Sequence, residues 1–170
     1  IGPYLQQYGM LFPIESGYFH VWQLVTYMFL HAGFGHIIFN LFALWMFGQS
    51  IENFWGTRRF TLYYFLTGIG AALLHMLIGG GGAPTLGASG AVYGILLAFG
   101  MMFPERRIML LFPPIPMKAK YFVAIFGVIE LVSGISRTDS NVAHFAHLGG
   151  MVVGYILIKY WGLKNEKSYY

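Results

Sequence analysis

Gly87-Ala88-Ser89-Gly90-Ala91-Val92-Tyr93-Gly94 heads an apolar run, Leu86 to Phe103, and sets a serine among small residues at the start of a hydrophobic helix. A second polar side chain, His147, holds the matching place in the apolar run Val142 to Tyr160. Ionisable and polar groups inside membrane helices are costly and tend to be functional. A serine and a histidine at one depth suggest a nucleophile and its base, set where water is scarce.

The rest of the chain agrees with a membrane setting. Of 170 residues, 57% are hydrophobic and only 9% charged, with a mean hydropathy of +0.62. Soluble domains are about a quarter charged, so a water-soluble fold of this length cannot hide so much apolar surface. The expected fold class is all-α: a polytopic transmembrane helix bundle formed as one domain over residues 1–170. The chain has no cysteine, which excludes disulfides and thiolate chemistry and leaves the redox compartment open.

Apolar runs near 20 residues mark membrane helices, because ~20 residues at ~1.5 Å rise cross ~30 Å of hydrocarbon. Five such runs stand out: Phe34 to Asn53, Phe60 to Ile78, Leu86 to Phe103, Lys118 to Gly134 and Val142 to Tyr160. The connectors are Phe54 to Thr57, the glycine run Gly79 to Gly82, Pro104 to Met117, and Ile135 to Asn141. The longest of them, Pro104 to Met117, reads as a flexible loop. Ile1 to Gly33 is broken by prolines and glycines and carries the aromatic stretch Tyr18-Phe19-His20-Val21-Trp22; it reads as an external interfacial loop with short helices in the headgroup layer. The chain opens with neither an initiator methionine nor a signal peptide, so a further membrane helix is expected before Ile1.

Charge orients the bundle. Arg58, Arg59, Arg106, Arg107, Lys118, Lys120, Lys159, Lys164 and Lys167 fall on one side and only Arg137 on the other, so the cationic side is expected in the cytoplasm. The helices that begin near Phe34, Leu86 and Val142 then all descend from the non-cytoplasmic face. Their first turns carry His36 and Asn40, Ser89, and His144 and His147. His36 and Asn40 are spaced i, i+4 and share one face.

A Ser–His hydrogen bond needs ~2.6–3.2 Å between heavy atoms, so two helix backbones must approach closely. Gly90 and Gly94 form a small-xxx-small face on the serine helix, and Gly150 and Gly154 do so on the histidine helix. Gly87 permits a tight turn at the helix entrance, where free amides favour a developing oxyanion. His36 and Asn40 can add side-chain donors. Taken singly, each feature has a plain reading: a membrane serine bonds its own helix, a GxxxG face packs, an asparagine glues helices. Their coincidence at one depth favours a site.

Either His144 or His147 can serve as the base, and Tyr93, one turn below Ser89, faces the same way. Outer-side histidines also suit zinc. No acidic residue is recognised among them, however, since Glu15 and Asp139 lie in loops and Glu130, toward the outer end of the fourth helix, has no evident partner. That absence argues against a metal and for a Ser–His dyad over a triad with an acid. Glu52, at the cytoplasmic end of the first helix, is expected to bond loop backbone or pair with Arg58 or Arg59. His75 reads as a packed or interfacial residue.

These residues resemble a known family, the rhomboid intramembrane serine proteases. His36-Ile37-Ile38-Phe39-Asn40 is similar to its His-x-x-x-Asn, Gly87-Ala88-Ser89-Gly90 to its Gly-x-Ser-Gly, and Ala146-His147-Leu148-Gly149-Gly150 with Gly154 to its Ala-His-x-x-Gly-x-x-x-Gly. The Gly48/Glu52/Gly56 spacing is also similar. The resemblance implies that the five helices are the second to sixth of a six-helix core. It implies Ser89 as nucleophile, His147 as base, and an oxyanion hole from His36, Asn40 and the Ser89 amide. Tyr93 would stack on His147, Gly87 would support the turn into the serine helix, Gly90, Gly150 and Gly154 would support the helix contact, His144 would line the cavity, and His31 would be structural. Where many members carry Trp-Arg in the first external loop, this chain has Trp22-Gln23, which is expected to weaken the loop's anchoring.

The expected function is therefore endoproteolysis of other proteins' transmembrane segments near the outer leaflet, at an outward-opening cavity lined by His36, Asn40 and His144. The expected partners are transmembrane substrates and the lipid bilayer, with no cofactor, metal or nucleic acid. A multi-pass protein of a bacterial plasma membrane, its site on the non-cytoplasmic side, is the default location. The rivals are a non-catalytic rhomboid-like binder of membrane proteins and a histidine-lined transporter.

Overall fold

The computed structural model describes residues 2–78, 83–109, 114–136 and 144–165. Two short helices, α1 (Pro3–Gly9) and α2 (Gln23–Thr26), precede the long rod α3 (Phe34–Trp55), which contains a π-helical turn over Leu44–Gly48. Then come α4 (Thr57–Ile78), α5 (Ser89–Met102), a two-stranded antiparallel ribbon of β1 (Arg107–Met109) and β2 (Pro116–Lys118), α6 (Ala119–Ser136) and α7 (His144–Tyr160). The glycine connector Gly79 to Gly82, residues 137–143 with Arg137 and Asp139, and Lys167 lie outside the described residues.

Each of the five apolar runs contains a helix. Three of these helices, α3, α4 and α6, are long and apolar enough to cross a membrane. Large apolar side chains such as Phe34, Phe39, Trp45 and Leu77 stand on the outside, as expected of helices that face a bilayer. The protein is an integral membrane protein. The α5 helix has 14 residues, a rise of ~21 Å against ~30 Å of hydrocarbon.

The expectation that α5 begins at Leu86 needs correction. Ser89 is its first residue rather than lying a turn inside, because Gly87 adopts φ +126° and breaks the helix before it. Backbone outside a helix at membrane depth must be satisfied by protein. Here Leu11 and Thr85 exchange both of their backbone hydrogen bonds, each 2.9 Å, and the Gly87 amide donates to the Tyr27 carbonyl at 2.9 Å. Leu11, Tyr27 and Met28 are buried against Ala72 and Ala91. The amino-terminal segment thus supplies protein partners to the non-helical chain that leads into Ser89.

Gln23 organises that segment. Its side chain is fully buried; its Oε1 accepts from the Phe12 and His20 amides at 3.2 and 3.3 Å, and its Nε2 donates to the Tyr18 carbonyl at 3.1 Å. Gln23 is thus itself an anchor of the loop, since its amide supplies both an acceptor and a donor where the folded loop needs them.

The core of the bundle is the junction of α4, α5 and α7. α5 and α7 run parallel and in direct contact, with α4 packed antiparallel against both. A Cβ on Gly150 would collide with the Gly90 carbonyl oxygen, one on Gly154 with the Tyr63 hydroxyl, and one on Gly94 with Thr67 at 2.8 Å. Tyr63, wholly buried, donates to the Gly94 carbonyl at 2.8 Å. At the other end, the loop Pro104 to Met117 contains β1 and β2 rather than being featureless. Lys118 lies in β2, not in the fourth helix. Glu105 accepts from Lys118 Nζ at 2.6 Å and Lys120 Nζ at 2.5 Å. Among the described residues Glu52 pairs with neither Arg58 nor Arg59.

Two predictions follow from this packing. Gly150→Ala must drive α5 from α7, and its thermal unfolding in detergent is expected to show a loss of about 3 kcal/mol or more, since backbone cannot give way as a side chain can. Gly35→Ala, with open space around its Cβ, should be neutral or stabilising by up to ~1 kcal/mol. Equal stability of the two variants would contradict the packing. The second concerns Glu105, whose carboxyl the two lysine hydrogen bonds hold down from 4.5 to about 2. Its folded value lies below the unfolded one, so its contribution is complete above 4.5 and is lost as pH falls through about 2. Amide protection in β1 and β2 should fall over that window and in Glu105→Gln, while the global unfolding midpoint barely moves because the pair is exposed.

Candidate active site

Ser89, the first residue of α5, and His147, in the first turn of α7, meet at the glycine junction. Ser89 Oγ lies 2.7 Å from His147 Nε2. Gly90 follows the serine and Gly150 stands three residues after the histidine, so the two side chains leave from the two sides of one backbone contact. The Tyr93 ring stacks on the His147 ring, with centroids 4.4 Å apart and planes 8° from parallel. His147 is 9% exposed, so stacking and burial hold the plane of the imidazole parallel to the Tyr93 ring.

His36 approaches from α3. A Cβ built on Gly87 would lie 2.7 Å from His36 Cε1, 2.8 Å from its Nε2 and 3.8 Å from Ser89 Oγ. The bare Gly87 Cα therefore faces a small gap bordered by the imidazole edge and the serine hydroxyl. Val92 is the first α5 amide to bond back, to the Ala88 carbonyl at 3.0 Å, and the amides before it are the unpaired donors of a helix start. Asn40 is buried; its Nδ2 donates to its own helix at the His36 carbonyl, 2.8 Å away, and its Oδ1 has no partner. His31 packs edge-on against His36 at 5.1 Å. Gly154 lies deeper, against Tyr63, and supports the helix contact without bordering the serine.

The reading that no acidic residue accompanies the histidines is corrected. Glu130 of α6, 6% exposed, points into the cluster. Its Oε2 is 2.6 Å from His144 Nδ1 and 3.0 Å from His147 Nδ1, and its Oε1 accepts from the Tyr93 hydroxyl at 2.5 Å. The 3.0 Å contact is at ion-pair distance but off the line of a hydrogen bond, so His147 Nδ1 has no hydrogen-bond partner among the described residues. Glu130, His144 and His147 also offer ligand atoms within 4.8 Å of one another, a spacing a divalent metal can use. An ionisable residue within an apolar helix, toward its outer end, was the signal for Glu130. Its spacing from His147 on a different helix gave no hint of the partner.

An alcohol hydrogen-bonded to an imidazole, beside helix-start amides in apolar surroundings, can be deprotonated as it attacks a carbonyl. Comparison with known proteins bears on where such a site belongs. The model of the Rhomboid domain matches residues 18–163. The chain belongs to the rhomboid family. This rhomboid chain is 31% identical over 148 residues to Rhomboid protease GluP of Bacillus subtilis (strain 168), covering 87% of this chain and 27% of that protein. It is 31% identical over 149 residues to Rhomboid protein 1, mitochondrial, of Saccharomyces cerevisiae, covering 82% and 42%. RHOMBOID-like protein 1 of Arabidopsis thaliana is 32% identical over 153 residues, covering 88% and 37%. The rhomboid chain thus spans about a quarter to two fifths of the length of these relatives.

The gap over Gly87 generates a test. Gly87→Ala places a Cβ against the His36 ring and forces an L side chain into a strained backbone, at ~1–3 kcal/mol. Labelling of Ser89 by a fluorophosphonate is expected to slow by at least roughly tenfold, the equivalent of ~1.4 kcal/mol, with helix content unchanged by circular dichroism. Labelling at the parent rate would show that the gap plays no part in the reactivity of Ser89.

Proposed function

We propose that this chain carries the catalytic core of an intramembrane serine endopeptidase that cuts transmembrane segments of other proteins. The observation that carries this reading is the 2.7 Å approach of Ser89 Oγ to His147 Nε2 at the buried junction of α5 and α7. Family membership and relatives named as proteases, such as Rhomboid protease GluP of Bacillus subtilis, support it.

In the proposed reaction Ser89 Oγ attacks the scissile carbonyl carbon while His147 Nε2 takes the hydroxyl proton. The carbonyl oxygen gains the negative charge and settles in the gap over Gly87, beside the His36 imidazole, where the helix-start amide of Ser89 can donate to it. Asn40 can turn its Nδ2 from the His36 carbonyl toward the same oxygen. The tetrahedral intermediate collapses, the C–N bond breaks, and His147 gives its proton to the leaving amine. A water molecule, deprotonated by His147, then attacks the acyl carbon; the ester C–O bond breaks and His147 returns the proton to Ser89 Oγ, releasing the carboxyl product. A substrate helix must unwind first, because its own hydrogen bonds shield the peptide carbonyls.

The cationic residues at the far end, Arg58, Arg59, Arg106 and Arg107 among them, support a site on the non-cytoplasmic side of a multi-pass protein. A bacterial plasma membrane is the proposed location, and one membrane domain over residues 1–170 the proposed organisation.

The test is cleavage of a transmembrane reporter co-reconstituted with the chain in liposomes. Ser89→Ala and His147→Ala are each expected to lower kcat by on the order of 10³-fold or more, while His144→Ala retains measurable activity. Cleavage by Ser89→Ala at the parent rate would overturn the mechanism. A parent that binds the reporter without cutting it would instead point to a non-catalytic binder.

A further inference from the structure

We propose that Glu130 is a positioning residue for His147, so that the chain holds a Ser89–His147–Glu130 arrangement rather than a dyad alone. The inference rests on the protease reading and adds to it a residue from α6. Three observations carry it. Glu130 is an acidic side chain almost wholly removed from solvent, on a helix whose other residues near it, Ile129, Leu131 and Val132, are apolar and exposed to lipid. An ionisable group there is retained only against a cost. Its two oxygens reach three residues of one cluster: Tyr93, which stacks on His147, then His144, then His147 itself. The nitrogen of His147 that faces Glu130 is Nδ1, the one that does not face Ser89.

The chemistry follows from the two nitrogens of imidazole. A neutral histidine has one N–H and one lone pair. For Nε2 to accept the Ser89 proton, the ring proton must reside on Nδ1. A carboxylate oxygen beside Nδ1 selects that tautomer and opposes the charge of the imidazolium formed when Nε2 is protonated. In the resting geometry the 3.0 Å contact is off the hydrogen-bond line, and the same Oε2 lies 2.6 Å from His144 Nδ1. As His147 becomes cationic its pull on Oε2 grows, and such bonds tighten toward the transition state. The Tyr93 hydroxyl and His144 hold the carboxylate while it does so.

A divalent metal on Glu130, His144 and His147 is the competing use of the same atoms. It would occupy the Nδ1 lone pair of His147 and leave the ring proton on Nε2, facing Ser89. That tautomer cannot act as a base. The two uses therefore exclude one another and separate experimentally.

The experiment measures reporter cleavage in liposomes by the full chain and by Glu130→Gln, which keeps the side chain's size and removes its charge. The expected result is a fall in kcat on the order of 10²-fold, KM within about twofold, and an unchanged unfolding midpoint, with partial recovery in Glu130→Asp. ¹⁵N spectra of the histidine-labelled parent should place the His147 ring proton on Nδ1; this measurement needs no variant and stands if Glu130→Gln fails to fold. Parent-like kcat in Glu130→Gln, or a His147 proton on Nε2 in the parent, would overturn the assignment while leaving the protease reading intact. Loss of parent activity on EDTA treatment, restored by Zn²⁺, would overturn it in favour of a metal ligand. Ser89→Ala cleaving at the parent rate would instead remove the protease reading itself.

Discussion

The backbone contact between Gly90 and Gly150 is the constraint from which the rest of this structure follows. Inside a bilayer, apolar side chains gain little by leaving lipid for protein, so helices associate through close packing and hydrogen bonds. Gly150 presses directly on the Gly90 carbonyl, with no room for a methyl group. That contact sets the spacing of α5 and α7, and the spacing brings Ser89 and His147 within hydrogen-bond distance. Gly94 and Gly154 continue it inward, against Thr67 and Tyr63 of α4. A larger residue at these points would part the helices and, with them, the two side chains.

The short α5 creates a second demand. Because the helix begins only at Ser89, the chain before it runs without helical hydrogen bonds and needs protein partners. The amino-terminal segment provides them through Leu11, Tyr27 and the buried Gln23. The same segment keeps Gly87 in the conformation that exposes its Cα to His36. Support of the serine and shaping of the space beside it are thus one structural problem, solved by residues far from α5 in sequence.

Much of this was legible in the residues themselves. Apolar runs located the helices, and helix direction placed Ser89, His36, Asn40 and His147 at one depth. Glycine spacing marked the faces that touch. Less was legible where a side chain's partner sits on another element. Gln23 reads as a weakened version of a loop anchor, yet buried among backbone groups it is an anchor in its own right. Pro104 to Met117 reads as plain loop because Lys118 and Lys120, which close on Glu105, gain that role only once the ribbon has turned back.

Glu130 marks the boundary most clearly. Its residue type within an apolar helix already says that something must compensate its charge, since hydrocarbon cannot. Which groups do so depends on how α6 is rotated about its axis and how far it is displaced along α7, and neither quantity is encoded in spacing along one strand of sequence. By itself, then, the sequence determined the membrane setting, the helix order and the faces where helices meet, because hydropathy and periodicity are local. The tertiary structure alone decided the helix break before Ser89, the burial of Gln23 and the meeting of Glu130 with His144, His147 and Tyr93, because each depends on the relative rotation and depth of separate elements.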